Sequence, residues 1–251
     1  MNEHDTATAP CFICDMSDLG KLRLSGEDAL DFIRTMFSCE LDPLYQIGGC
    51  AAALLLTGEA EVIDVVLLIR TGDAEFMVTT SPQNTQEVYD WLEAHGRLKG
   101  ESGPVFAHLD LSNETGSLST IALIGSDAAA ILDELASGGF SAAPRMGQLV
   151  MAQVDTVPAM VFAAPLLPEP VLEVFCAPGK KEGLLYGLMS FPQVSPLSLE
   201  EYQQLRADNH SWFAAADVAA YAYPDDLKLL HLVRGSFDFV GGKALQSRLN
   251  N

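Results

Sequence analysis

An α+β fold of two duplicated βαββαβ-type halves around a central cleft is what this sequence predicts, on three observations. Leu24-Ser25-Gly26-Glu27-Asp28-Ala29 returns as Leu123-Ile124-Gly125-Ser126-Asp127-Ala128, each copy leading from a strand-like run into a helix-periodic one. Glu75-Phe76-Met77-Val78-Thr79-Thr80-Ser81-Pro82 is echoed by Val171-Leu172-Glu173-Val174-Phe175-Cys176-Ala177-Pro178, an extended apolar run ending in proline ahead of a helix. The spacings agree: Gly125 lies 99 residues after Gly26, and Pro178 lies 96 after Pro82. Near-equal offsets point to one unit used twice.

Residues 1–10 are polar and aperiodic and read as a loose tail. The first half is expected over 11–100. Residues 12–14 and 21–24 read as strands, and 27–37 as a helix with Ala29, Leu30, Phe32, Ile33 and Met36 on one face. Residues 51–56 and 62–69 are strands around the hairpin signal Thr57-Gly58-Glu59-Ala60, both apolar enough to be covered on each face. A strand at 75–80 and a helix at 85–95 follow.

The second half, with a closing segment, is expected over 101–251. Its strand pattern restarts at 104–111 and 119–124. A helix at 127–135, strands near 149–154, 159–163 and 171–176, and a helix near 181–189 repeat the first half. A helix at 197–206 and the blocks Tyr221-Ala222-Tyr223-Pro224 and 237–245 close the chain.

Composition excludes several functions. With 34 acidic against 14 basic residues the formal charge is −20, so the surface repels phosphate backbones and anionic lipid head groups; no nucleic acid and no membrane partner is expected. The longest apolar runs, 50–56 and 65–69, are far below the ~20 residues a spanning helix needs. The start, Met1-Asn2-Glu3-His4-Asp5, lacks the basic and apolar regions of a secretion signal. Five irregularly spaced cysteines suit reduced thiols in a cytoplasm better than a disulfide framework, and Cys11-Phe12-Ile13-Cys14 has no second C-x-x-C to complete a metal site.

The chain has no G-x-G-x-x-G, and Gly179-Lys180-Lys181 lacks the upstream glycine and following hydroxyl of a phosphate loop. None of its five histidines forms an H-E-x-x-H pair, and no serine sits in a G-x-S-x-G elbow.

The stretch from Asp15 to Ala29 resembles the opening of the glycine-cleavage T-protein family, the tetrahydrofolate-dependent aminomethyltransferases and their YgfZ-type relatives. Ala122-Leu123-Ile124-Gly125-Ser126-Asp127-Ala128 is similar to the family's second turn, Tyr223-Pro224-Asp225 to its proline segment, and Asp238-Phe239-Val240-Gly241-Gly242-Lys243-Ala244-Leu245 to its "FIGxxAL" block. The blocks occur in family order over nearly the whole chain. Family members often continue into a C-terminal β-barrel, which this chain is expected to lack.

The resemblance implies tetrahydrofolate as the ligand and a cleft of the T-protein kind. It implies Glu173 for the amino-pyrimidine edge of the pterin, where a carboxylate accepts two parallel hydrogen bonds. It implies Arg206 for the anionic benzoyl-glutamate end. Ser81 falls where the family has an asparagine beside the ligand, and Met36 joins the folate-contacting set. A protein partner carrying the one-carbon donor is the further partner the resemblance leaves room for.

The departure lies in Val62-Ile63-Asp64-Val65. Family enzymes carry an Asp-Asp pair there, the second aspartate assisting proton transfer at the folate nitrogen; here that position is Val65, which cannot take a proton. Asp64 remains as the catalytic candidate, although strand alternation sends it to the opposite face unless a bulge intervenes. The tyrosine-threonine-glycine-glutamate segment of T-proteins is replaced around Ala163-Ala164-Pro165-Leu166-Leu167, and the lysine-glycine-cysteine signature of the YgfZ group is absent. Two functions follow from these residues: a folate-binding transferase, or a catalytically degenerate scaffold acting through protein partners.

Overall fold

The computed structural model describes residues 11–137, 143–165, 167–208 and 222–250, with 206 and 207 in the backbone only. The expected tail lies outside these residues. In chain order the first elements are β1 (Cys11–Asp15), β2 (Gly20–Ser25), α1 (Ala29–Met36), β3 (Cys50–Leu56), β4 (Val62–Gly72), β5 (Glu75–Thr80) and α2 (Thr85–Gly96). A two-residue pair, β6 (Lys99–Gly100) and β7 (Gly103–Pro104), precedes β8 (Asp110–Asn113). Then come β9 (Ser119–Ile124), α3 (Ala128–Leu135), β10 (Leu149–Val154), β11 (Val157–Ala164), β12 (Val171–Cys176), α4 (Lys181–Met189), β13 (Val194–Pro196), α5 (Leu199–Asp208) and α6 (Gly242–Leu249).

The duplication is real in the backbone. One sheet runs β3-β4-β5-β2-β8 and the other β10-β11-β12-β9-β1-β13, so the first four strands of each correspond one to one. Both are antiparallel throughout, apart from the parallel edge pair β1–β13. Within each copy the order is strand, helix, three-strand meander, helix. The third strand comes before the second helix, because short hairpin connections join all three strands.

The expected cut near residue 100 is corrected. The chain forms two compact units: Met1–Asp18 with Gly116–Asn209, and Leu19–Thr115 with His210–Asn251. The strand that precedes each copy is exchanged: β1 pairs with β9, and β8, just ahead of β9 in the chain, pairs with β2. Apolar matching accounts for it. Cys11 and Ile13 complete the cluster of Ile121, Leu123, Leu172 and Val174, whereas Leu111 packs on the cluster of Leu22, Leu24 and Phe76.

The repeated glycines are required by geometry. Gly26 has φ +108° and Gly125 φ +125°, where L side chains are strained, and a Cβ on Gly26 would sit 1.9 Å from the His108 carbonyl oxygen. These turns deliver the chain into α1 and α3. Ala29, Phe32, Ile33 and Met36 bury one stripe of α1 against the five-stranded sheet, joined there by Val88 and Leu92 of α2. Each fully buried large side chain of this kind contributes roughly 1.5–3 kcal/mol.

The other face of this sheet has a different cover. Leu54, Leu56, Val62 and Val65 cluster with Leu229, Phe239 and Leu245 of the C-terminal segment. Arg234 fastens that segment: its buried guanidinium donates to the carbonyls of Arg34, Phe37, Cys39 and Asp238 and to the Asp238 carboxylate, and it lies 4.8 Å from the Phe239 ring centroid. Among the described residues no helix is long and apolar enough to cross a membrane.

Candidate functional site

The six-stranded unit carries the first candidate. Along β12, Leu172, Val174 and Cys176 face the helix-side cluster, so Val171, Glu173 and Phe175 face the other way. That face, opposite α3 and α4, is buried at this point: Glu173 is only 2% exposed. Glu173 is therefore not the solvent-facing residue that simple strand alternation would make it. Register sets it between Ala122 of β9 and Phe162 of β11, both fully buried, a low-dielectric wall in which a carboxylate bond to a ligand is strong.

A residue the sequence did not single out stands next to it. Thr120 pairs with Phe175 in the register, one same-face position along from the Glu173–Ala122 pair. It is fully buried, and its Oγ1 finds no hydrogen-bond partner. The signal was available in the alternation of Thr120, Ala122 and Ile124 opposite the core-facing Ile121 and Leu123.

Arg206 lies in α5, which packs beside β1; its side chain is outside the described residues. The Cys14 thiol, in register with Ala122, is pushed up to about 12 by burial, with Asp15 and then Glu201 of α5 adding to the effect. The helix that bears Arg206 packs beside β1, the strand next to β9 in this sheet. Tyr202 of α5 is fully buried.

The five-stranded unit holds the remaining candidates. A bulge in β4 opposite Leu55 and Leu56 turns Ile63 and Asp64 toward the helix side, with Val62 and Val65 on the other. Asp64 is 1% exposed, and four donors converge on it. The Ser81 amide donates to Oδ2 at 2.9 Å; the Ser81 hydroxyl (2.7 Å), the Val65 amide (3.0 Å) and Asn84 Nδ2 (3.3 Å) donate to Oδ1. Burial pushes its carboxyl up to about 6 against the lowering effect of those hydrogen bonds.

Asp64 thereby staples β4 to the turn that opens α2, on the face away from Val65. The bulge foreseen as the escape from strand alternation is present, yet it turns Asp64 to the helix side. Ser81 is buried and its hydroxyl proton is committed to Asp64. Met36 is fully buried in the helix-side core, where α1 needs it for packing.

Among the described residues, no group of histidine, cysteine, aspartate and glutamate could hold a metal ion. Cys11 and Cys14 are free, buried thiols.

Known proteins resemble this chain in sequence and in fold. An aminomethyltransferase of Bacillus cytotoxicus is 21% identical over 174 residues, covering 69% of this chain and 45% of the relative. One of Prosthecochloris aestuarii is 29% identical over 138 residues, 55% of this chain and 36% of the relative. The chain thus spans less than half the length of these curated relatives. The structure of the glycine cleavage system aminomethyltransferase T from Bartonella henselae superposes with a TM-score of 0.78 at 20% identity, over 96% of this chain and 64% of that one, a likeness of fold. The model of the GCVT N-terminal domain matches residues 1–235, and the chain belongs to that family.

Proposed function

We propose that this chain binds a reduced folate, tetrahydrofolate, at the face of its six-stranded sheet opposite α3 and α4. The observation that carries this is the burial of Glu173 between Ala122 and Phe162. A carboxylate held there accepts the paired N–H groups of a pterin edge in a medium that strengthens both bonds. Arg206, from the helix beside β1, supplies a guanidinium for the carboxylates of the benzoyl-glutamate end. The orphaned Thr120 hydroxyl is a second polar group on this face that suits a ligand. Tetrahydrofolate, when bound, supplies the nitrogen that accepts a one-carbon unit. A protein carrying that unit is the proposed partner, and the cytoplasm, where five thiols stay reduced, the proposed compartment. Met36, Ser81 and Asp64 are given no folate contact, since each is committed to packing or to a local hydrogen bond.

A second function, a folate-binding scaffold without transfer chemistry that acts through protein partners, is favoured by Val65. That position lies in an apolar cluster with Leu229, Phe239 and Leu245, which offers no proton acceptor. Calorimetric titration with tetrahydrofolate tests the binding: heat is expected from the wild type, with affinity reduced between about 10- and 100-fold in Glu173→Gln. No heat at saturating folate refutes folate binding. Turnover of an aminomethyl donor by the unmodified chain refutes the scaffold.

A further inference from the structure

The face of the six-stranded sheet opposite α3 and α4 holds a buried carboxylate and, one same-face register step away, a buried hydroxyl without a partner. A threonine hydroxyl has one proton and two lone pairs, and burying it unpaired is unfavourable by about 1–3 kcal/mol. The fold does not ask for it. The equivalent position of the other copy, 99 residues earlier, is Lys21 on β2, so neither the strand nor the turn after it depends on a threonine. A volume-matched valine would satisfy the packing that Phe175 and Ala122 provide beside it.

A pterin presents three groups in a row along its pyrimidinone edge: the 2-amino group, N3–H, and the C4 carbonyl. The first two are donors and match the two oxygens of Glu173. The third is an acceptor and needs a donor one step further along the same wall. The backbone carbonyl and N–H of Thr120 are taken by Met16 and Ser17, whereas its hydroxyl proton is free to be given.

We propose that Thr120 reads the C4 carbonyl of the pterin, completing with Glu173 a three-point acceptor–acceptor–donor match that selects 4-oxo over 4-amino pteridines. This rests on the folate binding proposed through Glu173. It makes Thr120 a specificity-determining residue beside Glu173: a 4-amino analogue has no N3–H to give Glu173, whatever stands at 120, and it also presents a donor where the Thr120 hydroxyl donates, a second mismatch that Thr120 alone supplies.

The test is calorimetric titration of tetrahydrofolate and of its 4-amino counterpart, equally reduced, into the wild type, Thr120→Val and Thr120→Ser. The wild type is expected to prefer the 4-oxo ligand. Thr120→Val should weaken the 4-oxo ligand about tenfold and leave the 4-amino ligand unchanged or tighter, and Thr120→Ser should restore the preference. The same valine should raise the melting temperature of the ligand-free protein, which confirms that it folds. If Thr120→Val changes both ligands equally or neither, the role of Thr120 is overturned and binding through Glu173 stands. If the wild type binds neither ligand, the folate function fails and the carbonyl contact with it.

Discussion

Asp64 and Val65 are neighbours on β4 and serve opposite faces of one sheet. Asp64 accepts four hydrogen bonds on the helix side, while Val65 is sealed under the C-terminal segment by Leu229, Phe239 and Leu245. The Asp64 carboxylate is therefore committed to local hydrogen bonds, and the position beside it is apolar.

Restoring an acid at that position should harm the fold. Val65→Asp buries a carboxyl among aliphatic side chains with no donor of that cluster aimed at it, at an expected cost of about 3–5 kcal/mol near neutral pH. The unpaired acid has its pKa raised, so the loss should shrink as pH falls toward 4. Urea denaturation at two pH values measures this; an unchanged midpoint would mean the cluster is open to water. No gain of aminomethyl transfer is expected.

Asp64 makes a second pH prediction. Its folded carboxyl, raised to about 6, lies above the ordinary aspartate value of 3.8, so its contribution to stability is fully present below about pH 4 and lost as pH rises through 6. Two units correspond to roughly 3 kcal/mol. Between about pH 4 and pH 7.5, the stability difference between the wild type and Asp64→Asn should move by that amount in favour of the variant. Asp238 works with the opposite sign: hydrogen bonds from Ser236 and then Arg234 hold it down to about 2, so its contribution is lost only as pH falls below the ordinary carboxylate range. Parallel stability curves for wild type and Asp64→Asn would rule out the first effect.

Arg234 carries the attachment of the C-terminal segment. Arg234→Met strands three carbonyls of the α1 end, with an expected loss of about 3–5 kcal/mol. Arg234→Lys keeps the charge without the planar fork and should fall between. Limited proteolysis should cut within 222–250 in the methionine variant first; equal resistance of all three proteins would argue against the anchor.

Gly26→Ala places a Cβ at φ +108° and 1.9 Å from the His108 carbonyl oxygen, so a loss of about 2 kcal/mol or more is expected. Thermal denaturation gives the answer. A neutral effect would require the segment around His108 to move aside.

The sequence by itself determined the α+β class, the twofold use of one unit, and nearly every strand and helix. These follow from local periodicity and from glycines at positions where only glycine fits. Glu173 was named from family order alone, and strand alternation would have put it in solvent, whereas it is buried. Three things were decided by tertiary structure alone. The exchange of β1 and β8 between sheets depends on which apolar faces match, since chain order puts each beside the other partner. The orphaned state of Thr120 depends on what its neighbours leave unoffered, which no window of sequence records. The role of Asp64 turns on the bulge at Ile63 and on Ser81 and Asn84, about twenty residues away, meeting its two oxygens. Periodicity is written residue by residue, whereas hydrogen-bond partnership and sheet membership are properties of segments brought together only when the chain folds.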